Sequence, residues 1–434
     1  MSSADRVTDN VFLNRNYRLV FLGALVSELG AILYSFTVGF YILKATGNDA
    51  FLQGLYLALC GATMLAFTLV GGVLGDRMSK AKIMYVCDFF KGGIIVLATA
   101  LMLVFTSSGA QLAILFVLGI VGNMASGVFT PAAGSLLPHI VREDQLQQAN
   151  AYFAMKSALE SVLGIVLAGM LYAVLPIHVL FFLVGSCYVV SGISETMIQY
   201  EHHSSSERLT LRTAVSDMAD GVAYLKTKRA ILAMLVAVLF VNFFITPIMG
   251  NFLPFFVRTN LAESPSYLLD GVLTPELWSS VVQVCFGASS LLGAAILSGG
   301  TQLDRCGRKI ARLLCAMAAV VIGLTVCYLL FVDLGSQVSA FLVALCLGFL
   351  ALGFLVASIN VPASTVLMRV VDRDKLSKVS SLTNVGSQGM VPIASVLAGA
   401  ILGTFGCTAL LGLCSLGFTA TAIALLFNRQ IDDL

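Results

Sequence analysis

The chain has few charged residues. Asp, Glu, Lys and Arg make up 11% of its 434 residues, whereas hydrophobic residues make up 58%. Because soluble globular proteins carry about 25% charged residues, this composition excludes an ordinary soluble domain and indicates an integral membrane protein. The formal net charge of +2 is uninformative by itself. We expect a lipid bilayer around the protein and no nucleic-acid partner.

Motifs of catalysis and ATP use are also missing from the sequence. It contains no Gly-x-x-x-x-Gly-Lys-Ser/Thr phosphate loop, so we expect that ATP does not drive this chain directly. No nucleophile triad, Cys-x-x-Cys pair or metal-ligand spacing occurs. Cysteines such as Cys60, Cys187 and Cys414 lie inside apolar runs and are interpreted as small buried hydrophobic residues. We therefore predict that the protein is not an enzyme and has no metal site or cofactor.

Twelve mainly apolar runs are long enough to cross a membrane, for which about 20 residues are needed. They lie at residues 17–44, 51–75, 83–105, 111–137, 147–174, 178–198, 230–257, 278–303, 309–332, 337–367, 378–402 and 407–428. Some runs exceed the bilayer thickness, so we expect tilted helices or extensions beyond the membrane. The pattern predicts an all-α integral membrane protein with twelve transmembrane helices.

Lysine and arginine are concentrated on one side of the predicted membrane. Of the 25 such residues, only Lys44 and Arg258 fall in the opposite loops, while Lys91 and Lys156 lie inside apolar runs. Because cytoplasmic loops carry the excess of positive residues, both termini are predicted to be cytoplasmic. An even number of spans agrees with that orientation. We expect a multi-pass protein of the plasma (cell) membrane.

The two halves of the sequence repeat each other. The pattern Gly-x-x-x-Asp-Arg, followed by basic residues, occurs at 72–82 and again at 300–309. Two shorter matches support the repeat: Val166-Leu167-Ala168-Gly169 with Val396-Leu397-Ala398-Gly399, and Pro131-Ala132 with Pro362-Ala363. Two six-helix repeats in the same orientation predict a substrate site between them, near the middle of the membrane.

The repeat divides the chain into three parts. Residues 1–198 form the predicted N-terminal six-helix half, and residues 230–434 form the C-terminal half. Between them, 199–229 form a cytoplasmic linker in which apolar residues recur at helical spacing from Leu211 to Leu225. This spacing indicates an amphipathic helix on the membrane surface. The role of the external loop 258–277 is left open.

Twelve spans in two halves, with the Asp-Arg loops after spans two and eight, resemble the major facilitator superfamily. Asp88-Phe89-Phe90-Lys91-Gly92 resembles the Asp-x-x-Arg/Lys-Gly of its macrolide-efflux type of drug exporters. The linker stretch 220–225 is similar to the same branch, which includes siderophore exporters and lysophospholipid transporters. Two departures are Ser79, where the loop motif usually has Gly, and a fifth span without the Gly-Pro pair typical of drug antiporters.

The resemblance implies a secondary active transporter that exports small amphipathic compounds by alternating access, with protons as the coupling ion. It also implies a small-molecule substrate, and we expect a monomer. A lysophospholipid, siderophore or nutrient transporter of the same fold is an alternative. A further alternative is a non-transporting membrane sensor, against which two intact Asp-Arg loops argue.

Glu28 is the clearest candidate for transport chemistry. It lies twelve residues beyond Asn16, or roughly 18 Å along a helix at about 1.5 Å per residue, near the middle of the membrane. Removal from water favours the neutral form of a carboxyl group, so Glu28 could load and release a proton or contact the substrate. Asn242 in span seven offers a neutral polar group at the same depth. The structural alternative is a carboxyl group that bonds between helices without a transport role.

Lys156 and Glu160 lie four residues apart on one face of span five. An internal ion pair costs less to bury than two separate charges, so the pair could simply hold helices together. In the family that the chain resembles, span five lines the central cavity. The resemblance therefore makes Glu160, together with Glu28, a candidate coupling residue. Lys156 could also attract an anionic substrate.

Asp76 and Arg77 are predicted to act in gating, and Asp304 and Arg305 to do the related work in the second half. An aspartate at a tight turn can cap a helix N-terminus, and Arg77 can pair with a neighbouring carboxylate. In the family, this cluster contacts the other half and stabilises the outward-facing state. Asp88 and Lys91, in the cytoplasmic third of span three, are assigned to the same structural and gating network. Glu195, near the inner end of span six, is interpreted in the same way.

Overall fold

The computed structural model describes residues 10–142, 145–199, 222–298, 306–335, 337–371 and 373–428 of the chain. These residues are helical or lie in short connections, and no β-strand occurs among them. Eleven helices in the described ranges are long and apolar enough to cross a membrane. The predicted all-α membrane fold is therefore confirmed.

Six of these helices belong to the first half of the sequence. They are α1 (Arg15–Thr46), α2 (Ala50–Arg77), α3 (Lys80–Val104), α4 (Ser108–Ile140), α5 (Leu146–Leu159, continued by Glu160–Gly164 and Ile165–Val174) and α6 (Ile177–Thr196). Each agrees with a predicted run to within a few residues. Their apolar composition, with few charges inside, explains why each forms one long membrane-crossing helix.

Five helices belong to the second half. They are α7 (Arg229–Pro247, continued by Ile248–Phe252, Leu253–Phe256 and Val257–Leu261), α8 (Pro275–Ser298), α9 (Cys306–Tyr328, continued by Leu329–Asp333), α10 (Val338–Val370) and α11 (Arg373–Leu426). The described part of the predicted linker is helical at 222–227. Residues 200–221, which include most of the predicted amphipathic helix, lie outside the described ranges.

Helix α11 contains the last two predicted runs. Its 54 residues would extend about 80 Å at 1.5 Å per residue, far beyond a hydrocarbon core about 30 Å thick. At Gly406 the backbone leaves the helical conformation, with φ 78° and ψ −175°. Glycine adopts this positive φ without a steric penalty. The eleven described helices therefore correspond to the twelve predicted spans.

Three of the helices contain π-helical turns, which sequence periodicity did not predict. They lie at Glu160–Gly164 in α5, at Ile248–Phe252 and Val257–Leu261 in α7, and at Leu329–Asp333 in α9. A π turn inserts one residue into the helical repeat and so changes the direction of the side chains beyond it. Pro254 follows the first π turn of α7 closely and cannot donate a backbone hydrogen bond there.

The helices pack into two compact units, which divide some helices along their length. The first unit comprises the described residues within Met1–Ser35, Ala66–Gly164 and Leu175–Leu211. In it, α3 packs against both α4 and α6. Its core includes Tyr17, whose hydroxyl donates a hydrogen bond to the Ala149 carbonyl oxygen at 3.1 Å.

The second unit comprises Phe36–Leu65, Ile165–Val174 and the described residues within Arg212–Leu434. Here α8 packs against α10, and α11 packs against α7 and α9. Four aromatic rings form part of its core: Phe252, Phe256, Tyr328 and Phe341. The C-terminal part of α1, the N-terminal part of α2 and the end of α5 thus belong to the same unit as the second-half helices.

The connection between α7 and α8 is fixed by hydrogen bonds near its end. The buried side chain of Trp278 donates from Nε1 to the Leu268 carbonyl oxygen at 3.0 Å. The Tyr267 hydroxyl donates to the Leu273 carbonyl oxygen, also at 3.0 Å. These bonds tie the predicted external loop to the start of α8.

In the loop between α2 and α3, the residue that caps the following helix is not Asp76, as we had expected, but Ser79. Asp76 and Arg77 belong to the last turn of α2, and the N-terminus of α3 is capped by Ser79. The Ser79 hydroxyl accepts a hydrogen bond from the backbone N–H of Lys82 at 3.4 Å. A serine at this position therefore supplies the cap that we expected of the aspartate.

Candidate functional site

Lys156 and Glu160 form a close ion pair inside the first packing unit. Lys156 Nζ lies 3.0 Å from both Glu160 Oε1 and Glu160 Oε2. The two residues are only 6% and 5% exposed, respectively. The predicted pairing across one helical turn is thus present. Because it is buried, the pair is screened little by solvent.

The ion pair stands where the helical repeat of α5 changes. Glu160 is the first residue of the π turn, and Gly164 is its last. Across from this turn, α1 approaches so closely that a Cβ atom on Gly164 would lie 2.7 Å from Ile32 Cδ1 and 3.2 Å from Leu29 Cδ2. Glycine at this position therefore allows α1 and α5 to approach each other closely.

This contact places Glu28 and Glu160 at the same level of the first packing unit. Glu28 lies one turn before Ile32 in α1, and Glu160 lies one turn before Gly164 in α5. Both helices run in the same direction in the predicted topology. The two carboxylates are close enough to repel each other electrostatically. The Glu28 side chain is exposed, whereas Glu160 is buried beside Lys156.

The three ionisable groups have a simple chemical capacity. With both carboxylates ionised and Lys156 protonated, they carry one net negative charge. The Lys156–Glu160 pair is neutral, so the remaining charge is that of Glu28. Such a group can accept one proton or bind the cationic group of a ligand. Between Arg18 and Lys44 of α1, Glu28 is the one residue among Asp, Glu, Lys, Arg and His.

Asp88 and Lys91 lie beside Glu195, which joins them from α6. All three side chains are buried: Asp88 is 0%, Glu195 1% and Lys91 7% exposed. Lys91 Nζ lies 3.8 Å from Asp88 Oδ1, and it also stands over the rings of Phe129 and Tyr188. Sequence reasoning found each residue separately but did not pair Asp88 with Glu195. The signal that could have paired them is that each is a lone acid in an apolar run.

The remaining predicted site residues have varied positions. Asn242 donates from Nδ2 to the Val238 carbonyl oxygen at 3.0 Å, within its own helix. Asp76 and Arg77 end α2, as described above. Asp304 and Arg305 lie outside the described residues. Among those described, no group of three or more His, Cys, Asp or Glu residues could hold a metal ion.

Small residues produce close helix contacts in the second packing unit. A Cβ atom on Gly399 of α11 would lie 2.5 Å from the Ala50 carbonyl oxygen of α2. One on Gly54 would overlap the Ser395 carbonyl oxygen, and one on Gly61 would lie 3.1 Å from Pro392 Cγ. The N-terminal part of α2 therefore packs directly on the backbone of α11.

A second close contact joins the end of α5 to the start of α8. A Cβ atom on Gly169 would overlap the Ser280 hydroxyl and lie 3.4 Å from Leu277 Cδ2. Ser280 is buried, and its hydroxyl has no hydrogen-bond partner among the described residues. Contacts of this kind, through glycine and serine, are typical of tightly packed membrane helices.

Comparisons with known proteins agree with this architecture. The family model described as Major Facilitator Superfamily matches residues 20–300. An uncharacterized MFS-type transporter of Bacillus subtilis, YkuC, is 22% identical over 306 residues, 68% of this chain and 66% of its own length. Macrolide efflux protein A of Streptococcus pyogenes is 20% identical over 283 residues, 64% of this chain and 65% of its own length. The chain thus matches about two thirds of each relative.

Solved structures share the fold over nearly the whole chain. A POT family transporter in complex with 5-aminolevulinic acid matches with a TM-score of 0.72 and 12% sequence identity. That match covers 96% of this chain and 97% of the transporter. At this level of identity, the likeness concerns the fold of the backbone.

Proposed function

Because the chain belongs to the major facilitator superfamily of membrane transporters, we propose that it exports small amphipathic compounds by proton antiport with alternating access. It is a multi-pass integral membrane protein that carries a small-molecule substrate and catalyses no reaction. The similarity to a macrolide efflux protein supports export of drug-like compounds. The parallel six-helix halves 1–198 and 230–434, joined by the linker 199–229, are the parts that would alternate.

The arrangement of Glu28 beside the Lys156–Glu160 pair carries the proposal. An ionised Glu28 would add an uncompensated charge at the level where α1 and α5 touch, next to the buried Lys156–Glu160 pair, which has no net charge. A proton and a cationic or polar substrate group would compete for this carboxylate. Binding of one would then release the other, which is the requirement for exchange across a membrane. Lys156 would remain the partner of Glu160, and Asn242 stays a candidate polar contact for the substrate.

Two sets of contacts would hold the alternate states. The glycine contacts of α2 with α11 and of α5 with α8 would close one end of the pathway. On the predicted orientation, with both termini in the cytoplasm of a plasma-membrane monomer, that end is extracellular. The loop that contains Asp76 and Arg77, with its counterpart at Asp304 and Arg305, would act at the cytoplasmic end. Breaking one set while the other forms would expose the site to each side in turn.

Transport by full-length protein reconstituted in liposomes tests this function. We expect an imposed proton gradient to drive an aromatic cationic dye or a macrolide in the opposite direction. Glu28→Gln should abolish the dependence on the gradient, because a neutral amide cannot exchange a proton. Glu263→Gln, in the exposed segment after α7, is the matched control and should retain it.

Two results would contradict the proposal at different points. Gradient-driven movement that persists in both Glu28→Gln and Glu160→Gln would eliminate these carboxylates as the coupling groups. Absence of gradient-driven movement for every dye and macrolide tested, in protein that still binds them in a thermal-shift assay, would eliminate proton antiport itself.

A further inference from the structure

Asp88, Lys91 and Glu195 form a second group of buried ionisable residues, which the proposed transport cycle does not use. We call them the α3–α6 cluster. Asp88 and Lys91 come from α3 and Glu195 from α6, two helices that pack along each other in the first unit. With every group ionised, the cluster would carry two negative charges and one positive charge. It would therefore bury one uncompensated charge.

The oxygen atoms of the cluster lack hydrogen-bond donors. Neither oxygen of Asp88 and neither oxygen of Glu195 has a hydrogen-bond partner among the described residues. The distance of 3.8 Å from Lys91 Nζ to Asp88 Oδ1 permits electrostatic attraction but is too long for a hydrogen bond. The buried hydroxyl of Ser191 lies beside Asp88 as a potential donor, but the two groups do not meet the geometry of an ordinary hydrogen bond.

Lys91 is held in place by aromatic rings as well as by charge. Its Nζ atom lies 4.7 Å from the centroid of Tyr188 and 5.0 Å from the centroid of Phe129. Ring faces attract a cation but leave its proton donors without an oxygen acceptor. Lys91 can thus neutralise the charge of one carboxylate without a hydrogen bond. It cannot donate hydrogen bonds to all four oxygen atoms of Asp88 and Glu195.

One added proton would remove both the uncompensated charge of the cluster and the lack of a hydrogen-bond donor to its carboxyl oxygens. A single hydrogen shared by the two carboxyl groups makes the cluster neutral, because one ionised carboxylate then balances Lys91. The same hydrogen gives the carboxyl oxygens a donor. Burying an uncompensated charge is far more costly than burying a neutral group, and two nearby carboxyl groups can share one proton. The remaining groups near the pair are Cys87 on α3, Tyr188 and Ser191 on α6, and Glu28 on α1.

We propose that Asp88 and Glu195 hold one proton between them, so that the α3–α6 cluster is a proton-binding site within the membrane. The hydroxyl of Ser191 would donate to the carboxylate that remains ionised. Phe129 is the cluster's contact from α4, and its ring carries no charge. The charge balance of Asp88, Glu195 and Lys91 calls for this proton whether or not Glu28 couples transport.

The site also bears on Glu28, which is close enough to Asp88 for their charges to interact. With the shared proton present, the cluster is neutral and has little effect on the charge of Glu28. Loss of that proton would add a negative charge near Glu28.

Infrared spectroscopy of the purified full-length protein tests the shared proton directly. We expect a carbonyl stretch of a protonated carboxyl group at neutral pH that shifts in D₂O. Asp88→Asn and Glu195→Gln should each remove this band completely, because the one carboxylate left is then balanced by Lys91. Lys91→Met should strengthen the band, since neutrality then requires a second proton. Glu263→Gln, in the exposed segment after α7, is the control and should leave it unchanged.

Thermal unfolding as a function of pH gives a second readout. If the folded protein holds one more proton than the unfolded chain at neutral pH, its stability falls as the pH rises through the titration of the pair. Glu195→Gln should flatten this dependence, and Glu263→Gln, in the exposed segment after α7, should not.

Several outcomes would overturn the proposal. One is a wild-type spectrum without a protonated carboxyl band at neutral pH, a result that requires no variant to fold. Another is a band that survives in both Asp88→Asn and Glu195→Gln. A third is stabilisation by sodium ions that disappears in Glu195→Gln, which would make the pair a cation site instead.

Discussion

Gly164 of α5 faces Ile32 of α1 so closely that a Cβ atom on the glycine would lie 2.7 Å from Ile32 Cδ1. The contact fixes the level of two carboxylates, since Glu28 precedes Ile32 by one turn and Glu160 precedes Gly164 by one turn. The close approach of α1 and α5 is therefore part of the geometry of the candidate site.

Gly164→Leu should separate α1 from α5 and weaken the interaction of Glu28 with Glu160. Forcing a large side chain into a packed contact costs about 1–3 kcal/mol. We expect gradient-driven transport to fall strongly while the protein stays folded, as judged by its melting temperature. Gly93→Leu is the control, because no atom lies within 4 Å of a Cβ placed there. Equal loss of transport in both variants would show that the Ile32 contact has no special role.

Lys156 and Glu160 should behave as a unit when stability is measured. Removing one member of a buried ion pair costs about 3–5 kcal/mol, because a buried charge is left unpaired. Lys156→Met and Glu160→Gln should each lower the melting temperature markedly. The double variant should recover most of the loss, because no unpaired charge remains. Additive losses in the double variant would mean that the two groups contribute separately.

Gly54→Leu should prevent the N-terminal part of α2 from packing on α11. Its side chain would occupy the position of the Ser395 backbone, which cannot move without displacing the helix. We expect slower transport and greater labelling of a Gln53→Cys reporter by a membrane-impermeant maleimide, in a background without other cysteines. Gly403→Leu, at a position with open space around it, should change neither measurement. Unchanged labelling in Gly54→Leu would contradict a closing role for this contact.

Asp76→Asn should slow transport and leave substrate affinity in detergent largely intact, because the proposed role of this loop is gating. Affinity can be followed by thermal shift with the transported compound. Asp49→Asn is the control at the start of α2. Its side chain accepts a hydrogen bond from the Leu52 N–H at 3.0 Å, and asparagine can preserve that bond. A large loss of affinity in Asp76→Asn would place the residue in the binding site instead.

Much of the fold could be predicted from the sequence, because each membrane span is a local property. A run of about 20 apolar residues is sufficient to identify a spanning helix. Lys156 and Glu160 could be paired for the same reason, since a spacing of four residues fixes their geometry on one helix.

The parts that sequence reasoning missed depend on contacts between distant residues. Asp88 and Glu195 lie in different helices, and no local spacing indicates that they meet. The packing of Gly54 on Ser395 joins segments more than 300 residues apart in the same way. The π turn at Glu160–Gly164 was missed for a different reason: the apolar sequence around it has no strong periodicity from which one inserted residue could be detected.

The position of Trp278 has a practical consequence. It is the chain's one tryptophan, and it is buried at the start of α8 with its indole bonded to the Leu268 carbonyl oxygen. The neighbouring residue, Leu277, faces Gly169 of α5. The tryptophan fluorescence of the unlabelled protein, excited apart from the tyrosines, therefore comes from one site beside the α5–α8 contact. A change in its emission wavelength would therefore indicate whether water reaches that contact.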